Sequence, residues 1–429
     1  MNNQKVELLS PAGNLEKLKI AIKYGADAVY AGVSHFSLRI RAGKEFTFET
    51  FKEGIDYAHA RGKKVYATIN GFPFNSQIEL LKKHIATMAA LKPDGFMVAA
   101  PGVVKLCREI APEIDIHLST QANVLNYLDA QVFWDMGVKR IVVAREISLK
   151  DVVEIKKHLP DMEIEIFVHG SMCFAYSGRC LVSAVQMGRV PNRGSCANDC
   201  RFEYTLYAAN EDHSTLFRLE EEPGVGTYIF NSKDMNLASH IKEILDSGAV
   251  DSLKIEGRTK SPYYAAVTAK AYREAIDDYY AGKFEADKYQ KELYTTKNRG
   301  FTDAYLIHRP FEKTDSQNHD YALSKGSYEV TGLVTQDEEH FLCKYKVYPN
   351  EDIEIFTPMG EELVECENEI GKIFKKDGIY YINFKKILTE TNKELESVHS
   401  GNVNKIKLPG TLPYLTMFRV ENIDGTIVE

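Results

Sequence analysis

A (β/α)8 TIM-like barrel, α/β in class, interrupted by a cysteine-rich insertion and followed by a small all-β C-terminal domain, is the fold this chain predicts. Three observations predict it. Eight short apolar β-forming runs alternate with helix-period stretches over roughly the first 280 residues. A segment far too long for one helix separates the seventh run from the eighth and holds four of the seven cysteines. From about Tyr321 onward the texture turns to short alternating runs broken by turn residues.

In chain order the strand runs are VELLS (6–10), DAVYAG (27–32), KVYATIN (64–70), GFMVAA (95–100), IDIHLST (114–120), KRIVVAR (139–145), EIEIFVHG (163–170) and SLKIEG (252–257). They are apolar at nearly every position, the habit of parallel strands covered by helices. A doubly wound open sheet is the competing architecture. Helix signals fill the intervals. Asn14 caps LEKLKIAIKYG, which a glycine stops, and Ser148 with Asp151 opens SLKDVVEIKKHLP, which closes at Pro160. SPAG (10–13) reads as a tight turn into a helix whose N-terminus suits an anion.

The insertion, about residues 171–230, holds EYTLYAAN and a hairpin reaching GTYIFNSKD, and it leaves the C-terminal end of a strand. In barrels that end carries the chemistry, because its loops converge on one mouth. After the long helix SPYYAAVTAKAYREAIDDYYAG (261–282) and NRGFTDAYL, the runs FLCKYKVY, DIEIFTP and YYINF read as strands, with turns at PNED, MGEE and KDG. The predicted division is 1–320 for the barrel with its insertion and 321–429 for a small β-barrel-like domain.

Cys173, Cys180, Cys196 and Cys200 lie within 28 residues, with six, fifteen and three residues between them, while Cys107, Cys343 and Cys366 are scattered. Converging thiolates hold soft metals. Spacing favours an iron–sulfur centre over structural zinc, whose cysteines usually pair closely, and over unligated thiols; all three stay open. MNNQKVELLSPAG lacks a charged-then-apolar leader, and no apolar stretch is long enough to cross a bilayer. The expectation is a cytoplasmic protein with reduced thiols and no membrane partner.

Formal net charge is −8. Twelve Lys and Arg against nineteen Asp and Glu from Tyr321 onward give about −7, leaving about −1 for the rest. Such a chain disfavours non-specific nucleic-acid binding, so an RNA partner should meet the near-neutral first part.

The ordered runs ELLSPAG, ADAVYAG, HLSTQAN, MEIEIFVHGSMC, YSGRC, GTYIFNSKD and SLKIEGRTKS resemble the collagenase-like peptidase family U32, and within it the branch that forms 5-hydroxyuridine at the tRNA wobble position with prephenate. The resemblance covers most of residues 5–310 and fades in the β domain, where DIEIFTPMG alone is suggestive. It implies a 4Fe-4S cluster on Cys173, Cys180, Cys196 and Cys200, with tRNA and prephenate as partners. Two features depart from the family pattern: Ala100 stands where relatives carry Asp before Pro-Gly, and the insertion before GTYIFNSKD is shorter.

Polar residues at strand ends complete the candidate site: Asn70, His117, Gln121, Asn123, Arg145, Glu146, His169, Lys254, Glu256 and Arg258. Prephenate is a dianion, so Arg145 and Arg258, with Lys254, are its candidate anchors. The bland alternative is a pair of rim ion pairs, Arg145–Glu146 and Glu256–Arg258. His169, Glu256 and Tyr176 are the candidate catalytic residues. His169 is suited to move a proton or orient substrate and competes with a structural histidine; Tyr176 and Phe174 are suited to stack a base or exclude water. Gln121 and Asn123 suit a base edge or buried backbone groups.

Proteolysis is the competing activity. It lacks an HExxH helix or a GxSxG elbow, and the thiols near His169 are the ones that read as ligated. Hydroxylation of ribosomal RNA or of a quinone precursor is the third alternative.

Overall fold

A computed structural model describes residues 5–33, 36–38, 46–209, 216–219, 230–308, 316–318 and 326–422. Eight parallel strands close into a barrel: β1 (Glu7–Pro11), β2 (Ala28–Ala31), β3 (Lys64–Ile69), β4 (Gly95–Val98), β5 (Asp115–Leu118), β6 (Arg140–Val142), β7 (Glu163–Ser171) and the eighth, Ser252–Ile255. Each pairs with the next, and Ser252–Ile255 closes the ring on both β1 and β7. All eight expected strands are present, and closure excludes the open sheet.

The helices outside the ring are α1 (Leu15–Lys23), α2 (Phe48–His59), α3 (Ile78–Ala90), α4 (Pro101–Ile110), α5 (Tyr127–Asp135) and α6 (Leu149–His158). Their starts follow cap chemistry: the Asn14 side chain accepts from Lys17 N at 3.0 Å, and Ser148 Oγ accepts from Asp151 N at 3.2 Å. The SPAG turn is packed rather than open. A Cβ at Gly13 would overlap the Arg258 carbonyl, and Lys17 Nζ donates to the Lys260 carbonyl at 2.5 Å, so no anion niche forms there.

Strand alternation sends one residue in two outward to an aliphatic shell with the helices. The inward half joins a small apolar cluster, Leu9, Ala28, Tyr30, Tyr66 and Met97, to a charged network. Arg140 meets Glu7 at 2.5 Å, Glu163 at 2.6 Å and Glu165 at 3.2 Å, and Lys254 meets Glu165 at 2.6 Å. Tyr66 and Ser252 donate to Glu7 at 2.6 and 3.0 Å. Burial works against the Arg140 charge, but the attraction of Glu7 and Glu165 outweighs it and keeps the guanidinium ionised. Removing one member of such a network strands its buried partner.

The insertion carries α7 (Val182–Met187) and two strands that pair antiparallel, β8 (Leu206–Ala209) and β9 (Leu216–Leu219). The GTYI part of the expected hairpin lies outside the described residues. β10 (Asp234–Asn236) runs antiparallel to the end of β7, β11 is Ser252–Ile255, and β12 (Phe301–Thr302) extends β10. Helices α8 (Ile241–Asp246), α9 (Pro262–Tyr280) and α10 (Ala286–Leu293) complete this part. β7 is thus the lever of the site. Its first part belongs to the barrel and its overhang carries the cysteine segment outward, bending at Gly170, whose φ of 108° suits glycine.

Tyr328–Val334 through Met417–Glu421 form an eight-stranded antiparallel sheet with small flanking ribbons. The expected division near residue 320 lies outside the described residues. The sheet seats on α1 and α9 through Tyr24, Tyr263, Phe356 and Leu415.

Candidate functional site

Two cavities meet at the C-terminal mouth of the barrel. The first, about 90 Å³, is lined by Tyr30, Thr68, Asn70, Phe167, Arg145, Lys254, Glu256 and Arg258 among others. The second, about 330 Å³, is lined by Cys173, Cys180, Cys196 and Cys200 together with Arg201, Lys260 and Arg299. Gln121, Cys173, Gly178 and Leu38 belong to both.

Strand geometry sets the mouth cations. Lys254 points inward from β11, held by Glu165 and lying 4.4 Å from the centroid of the Tyr30 ring. Burial pushes its ammonium pKa down and Glu165 counters. Arg258 donates to Ser37 Oγ at 2.9 Å, to Thr68 Oγ1 at 3.0 Å and to the Leu38 carbonyl. Arg145 lies 4.1 Å from the Phe167 ring centroid and reaches Cys173 Sγ at 3.7 Å and Glu256 at 3.9 Å. Of the rim pairs expected from sequence, Arg145–Glu146 is replaced. Arg145 pairs with Glu256, while Glu146 accepts from Ser177 N at 2.6 Å and from its hydroxyl. Three cations against the Glu256 and Glu165 carboxylates leave the mouth suited to an anion.

Burial pushes the Cys200 thiol up, Arg201 beside it pulls it down, and Cys173, Cys196 and Cys180 add to the rise, which places the four sulfurs in one another's field. Val182 N–H donates to Cys180 Sγ at 3.4 Å, and Asn192 ties the loop by accepting from Cys180 N and donating to the Gly178 carbonyl. Among the described residues no three His, Cys, Asp or Glu side chains are gathered to hold a single metal ion. A tetrahedral zinc site needs sulfurs about 2.3 Å from one point. Four soft donors spread around a cavity this large, with cations in the same wall to offset thiolate charge, fit a wider inorganic core.

The remaining sequence candidates separate. Asn70, Gln121, Arg145, Lys254, Glu256 and Arg258 line the mouth. His169 does not. It is 1% exposed, its ring lies 5.7, 5.6 and 5.4 Å from those of Tyr264, Tyr272 and Phe301, and burial lowers its pKa to about 3. It is a neutral core histidine, not a proton carrier at the site. His117 is likewise held neutral by burial and packs on Tyr66 at 4.4 Å. Tyr176 is 47% exposed and lines neither cavity, whereas Phe174 lines the thiol cavity and packs 4.5 Å from Phe230. Asn123 adopts φ 61° and donates to the Tyr176 carbonyl at 3.3 Å, a turn-closing role.

Sequence reasoning missed Ser37, Thr68, Arg201 and Arg299. Arg201 donates to the Met172 and Ser232 carbonyls, both at 2.5 Å, which pins the cysteine segment beside the β7 overhang, and Arg299 donates to Asp234 at 2.5 Å and Ser171 at 3.0 Å, which ties β10 to that overhang. The position of Arg201 directly after Cys200 was a usable signal; Arg299 is brought in from a distant loop and left none.

A parallel α/β barrel whose C-terminal mouth is lined by cations and adjoins a cavity lined by four cysteines defines the class. The chain belongs to peptidase family U32, whose profile matches residues 13–316. It is 63% identical over 417 residues to "tRNA hydroxylation protein P" of Helicobacter pylori (strain ATCC 700392 / 26695), covering 97% of this chain and 99% of the relative. It is 39% identical over 413 residues to the protein of that name in Escherichia coli (strain K12), covering 86% and 90%. A "Collagenase" of Porphyromonas gingivalis (strain ATCC BAA-308 / W83) is 29% identical over 392 residues, covering 88% and 87%.

Proposed function

We propose that this chain is a cytoplasmic tRNA-modifying hydroxylase that forms 5-hydroxyuridine at the wobble position, requires prephenate, and holds a 4Fe-4S cluster on Cys173, Cys180, Cys196 and Cys200. The observation that carries the reading is the shared wall: Cys173 and Gln121 face both the cationic mouth and the four-thiol cavity. The relatives named for tRNA hydroxylation supply the acceptor.

Each residue then has a task. Arg145, Lys254 and Arg258 bind the two carboxylates of prephenate, and Glu256 orients Arg145 while accepting from Tyr30 at 3.2 Å. Asn70, which accepts from Leu38 N at 3.2 Å, holds the loop over the mouth. Phe174 and Phe230 screen the thiol cavity from water. Those four thiols would hold an iron–sulfur cluster, which when bound would supply one-electron chemistry. A wobble uridine reaches the mouth only if it leaves its stack, as bases in single-stranded loops readily do. Proteolysis fares worse, since the histidine nearest the thiols in sequence is turned into an aromatic core and kept neutral.

Two measurements test this. Deleting the gene in cells lacking any oxygen-dependent parallel enzyme should abolish wobble 5-hydroxyuridine in nucleoside mass spectrometry; an unchanged level overturns the assignment. Protein purified without oxygen should show a broad visible absorption with iron and labile sulfide. Zinc alone, at four-thiolate stoichiometry, overturns the cluster.

A further inference from the structure

The two amides of the STQAN run part company in three dimensions. Asn123 donates through its amide nitrogen to the backbone of the cysteine loop and lines neither cavity, although its Oδ1 has no partner among the described residues. Gln121 is placed differently. It is 6% exposed, lines both cavities, and its Oε1 has no hydrogen-bond partner among the described residues. A buried amide oxygen without a partner costs about 1–3 kcal/mol, and one that also lines a cavity is placed to recover it from what the cavity takes up.

Its surroundings are built. The Gln121 carbonyl accepts from Arg179 Nε at 2.8 Å, and Thr120 Oγ1 donates to the Val143 carbonyl at 3.0 Å, which fixes the backbone on both sides. The loop after the first cysteine passes close by: a Cβ at Gly178, where φ is 82°, would lie 3.6 Å from Gln121 Nε2. The side chain is thus clamped between the end of β5 and the cysteine segment, with its amide facing the wall that the cavities share.

We infer that Gln121 is a specificity-determining residue that reads the N3–C4 edge of the target base, Oε1 accepting from N3–H and Nε2 donating to O4 of a flipped-out uracil. The inference rests on the tRNA reading above and deepens it. An amide offers one acceptor and one donor side by side, the complement of that edge. Because C5 is bonded to C4, pairing there fixes which way C5 faces. Cytosine presents the reverse pattern, an acceptor at N3 and a donor at N4, so an amide held in this orientation sets acceptor against acceptor and donor against donor, whereas a carboxyl group protonated on the oxygen that meets N3 donates to N3 and accepts from N4.

The test uses the full-length holoprotein, purified anaerobically, and two synthetic anticodon stem–loops that differ only in uridine or cytidine at the wobble position. Wild type should bind the uridine form about tenfold or more tightly, the discrimination a bidentate pair supplies. Gln121→Ala should lose the preference, and Gln121→Glu should invert it, with iron content unchanged in both. In complemented deletion cells, Gln121→Glu should lower 5-hydroxyuridine at least tenfold and yield 5-hydroxycytidine in tRNA. A wild-type protein without base preference, or variants that keep the wild-type preference, overturns the inference. Inverted binding with no 5-hydroxyuridine made by wild type in cells would sink the hydroxylase reading while leaving Gln121 as the base reader.

Discussion

His169 shows what burial does to a residue that its neighbours in sequence made look reactive. The native ring stays neutral because burial lowers its pKa to about 3, whereas an unfolded histidine gains a proton below about 6.5. The unfolded chain therefore binds more protons between those limits. The stability is fully present above pH 6.5 and falls toward pH 3 by about 1.4 kcal/mol for each pH unit. Replacing His169 with Phe should shrink the loss between pH 7 and pH 4.5 by about 2.5 kcal/mol in urea unfolding; an identical pH dependence in the variant would refute it. The type and position of Arg145, Lys254, Arg258 and the four cysteines were enough to nominate them. The direction each side chain takes was not, because a one-residue change of phase along a strand exchanges mouth for shell.

At the scale of elements, α4 begins at Pro101 with Ala100 as its N-cap, and no side chain caps it. The carboxylate that the family resemblance implies there would fall at an N-cap, where Asp accepts from the free N–H groups of the first turn. Ala100 lines neither cavity. Ala100→Asp should therefore raise stability by about 1 kcal/mol in denaturant titration and leave the nucleoside product unchanged. A changed product level would return the position to the chemistry. The eight strands were legible because each carries its own apolar run, and α1 and α6 because each also carries its own side-chain cap. The split of β7 between barrel and overhang was not, since its run EIEIFVHG reads as one strand whether its end pairs with β11 or with β10.

At the scale of the molecule, Arg419 is a buried latch between the barrel and the antiparallel sheet, alongside Lys23 and Lys270, which donate to the Tyr414 and Thr357 carbonyls. Arg419 binds Glu354 at 2.5 Å, Tyr263 at 2.9 Å and Glu292, while Tyr24 Oη lies 2.9 Å from the Phe356 carbonyl. Arg419→Ala strands two carboxylates at a largely buried junction and should cost about 3 kcal/mol; calorimetry should show the single transition of wild type moving down or dividing in two. A variant as stable as wild type would show that the latch carries no energy. The sequence by itself determined the alternation that makes a barrel, the quartet of thiols and the presence of cations at strand ends, because these depend on local period and on residue type. Only the tertiary structure decided that Cys173 and Gln121 stand on a wall common to the mouth and the thiol cavity, that Arg145 faces Glu256, and that His169 is sealed in aromatics. Those outcomes depend on which loops a closed ring of strands brings together, and pairing across hundreds of residues leaves no trace in local pattern.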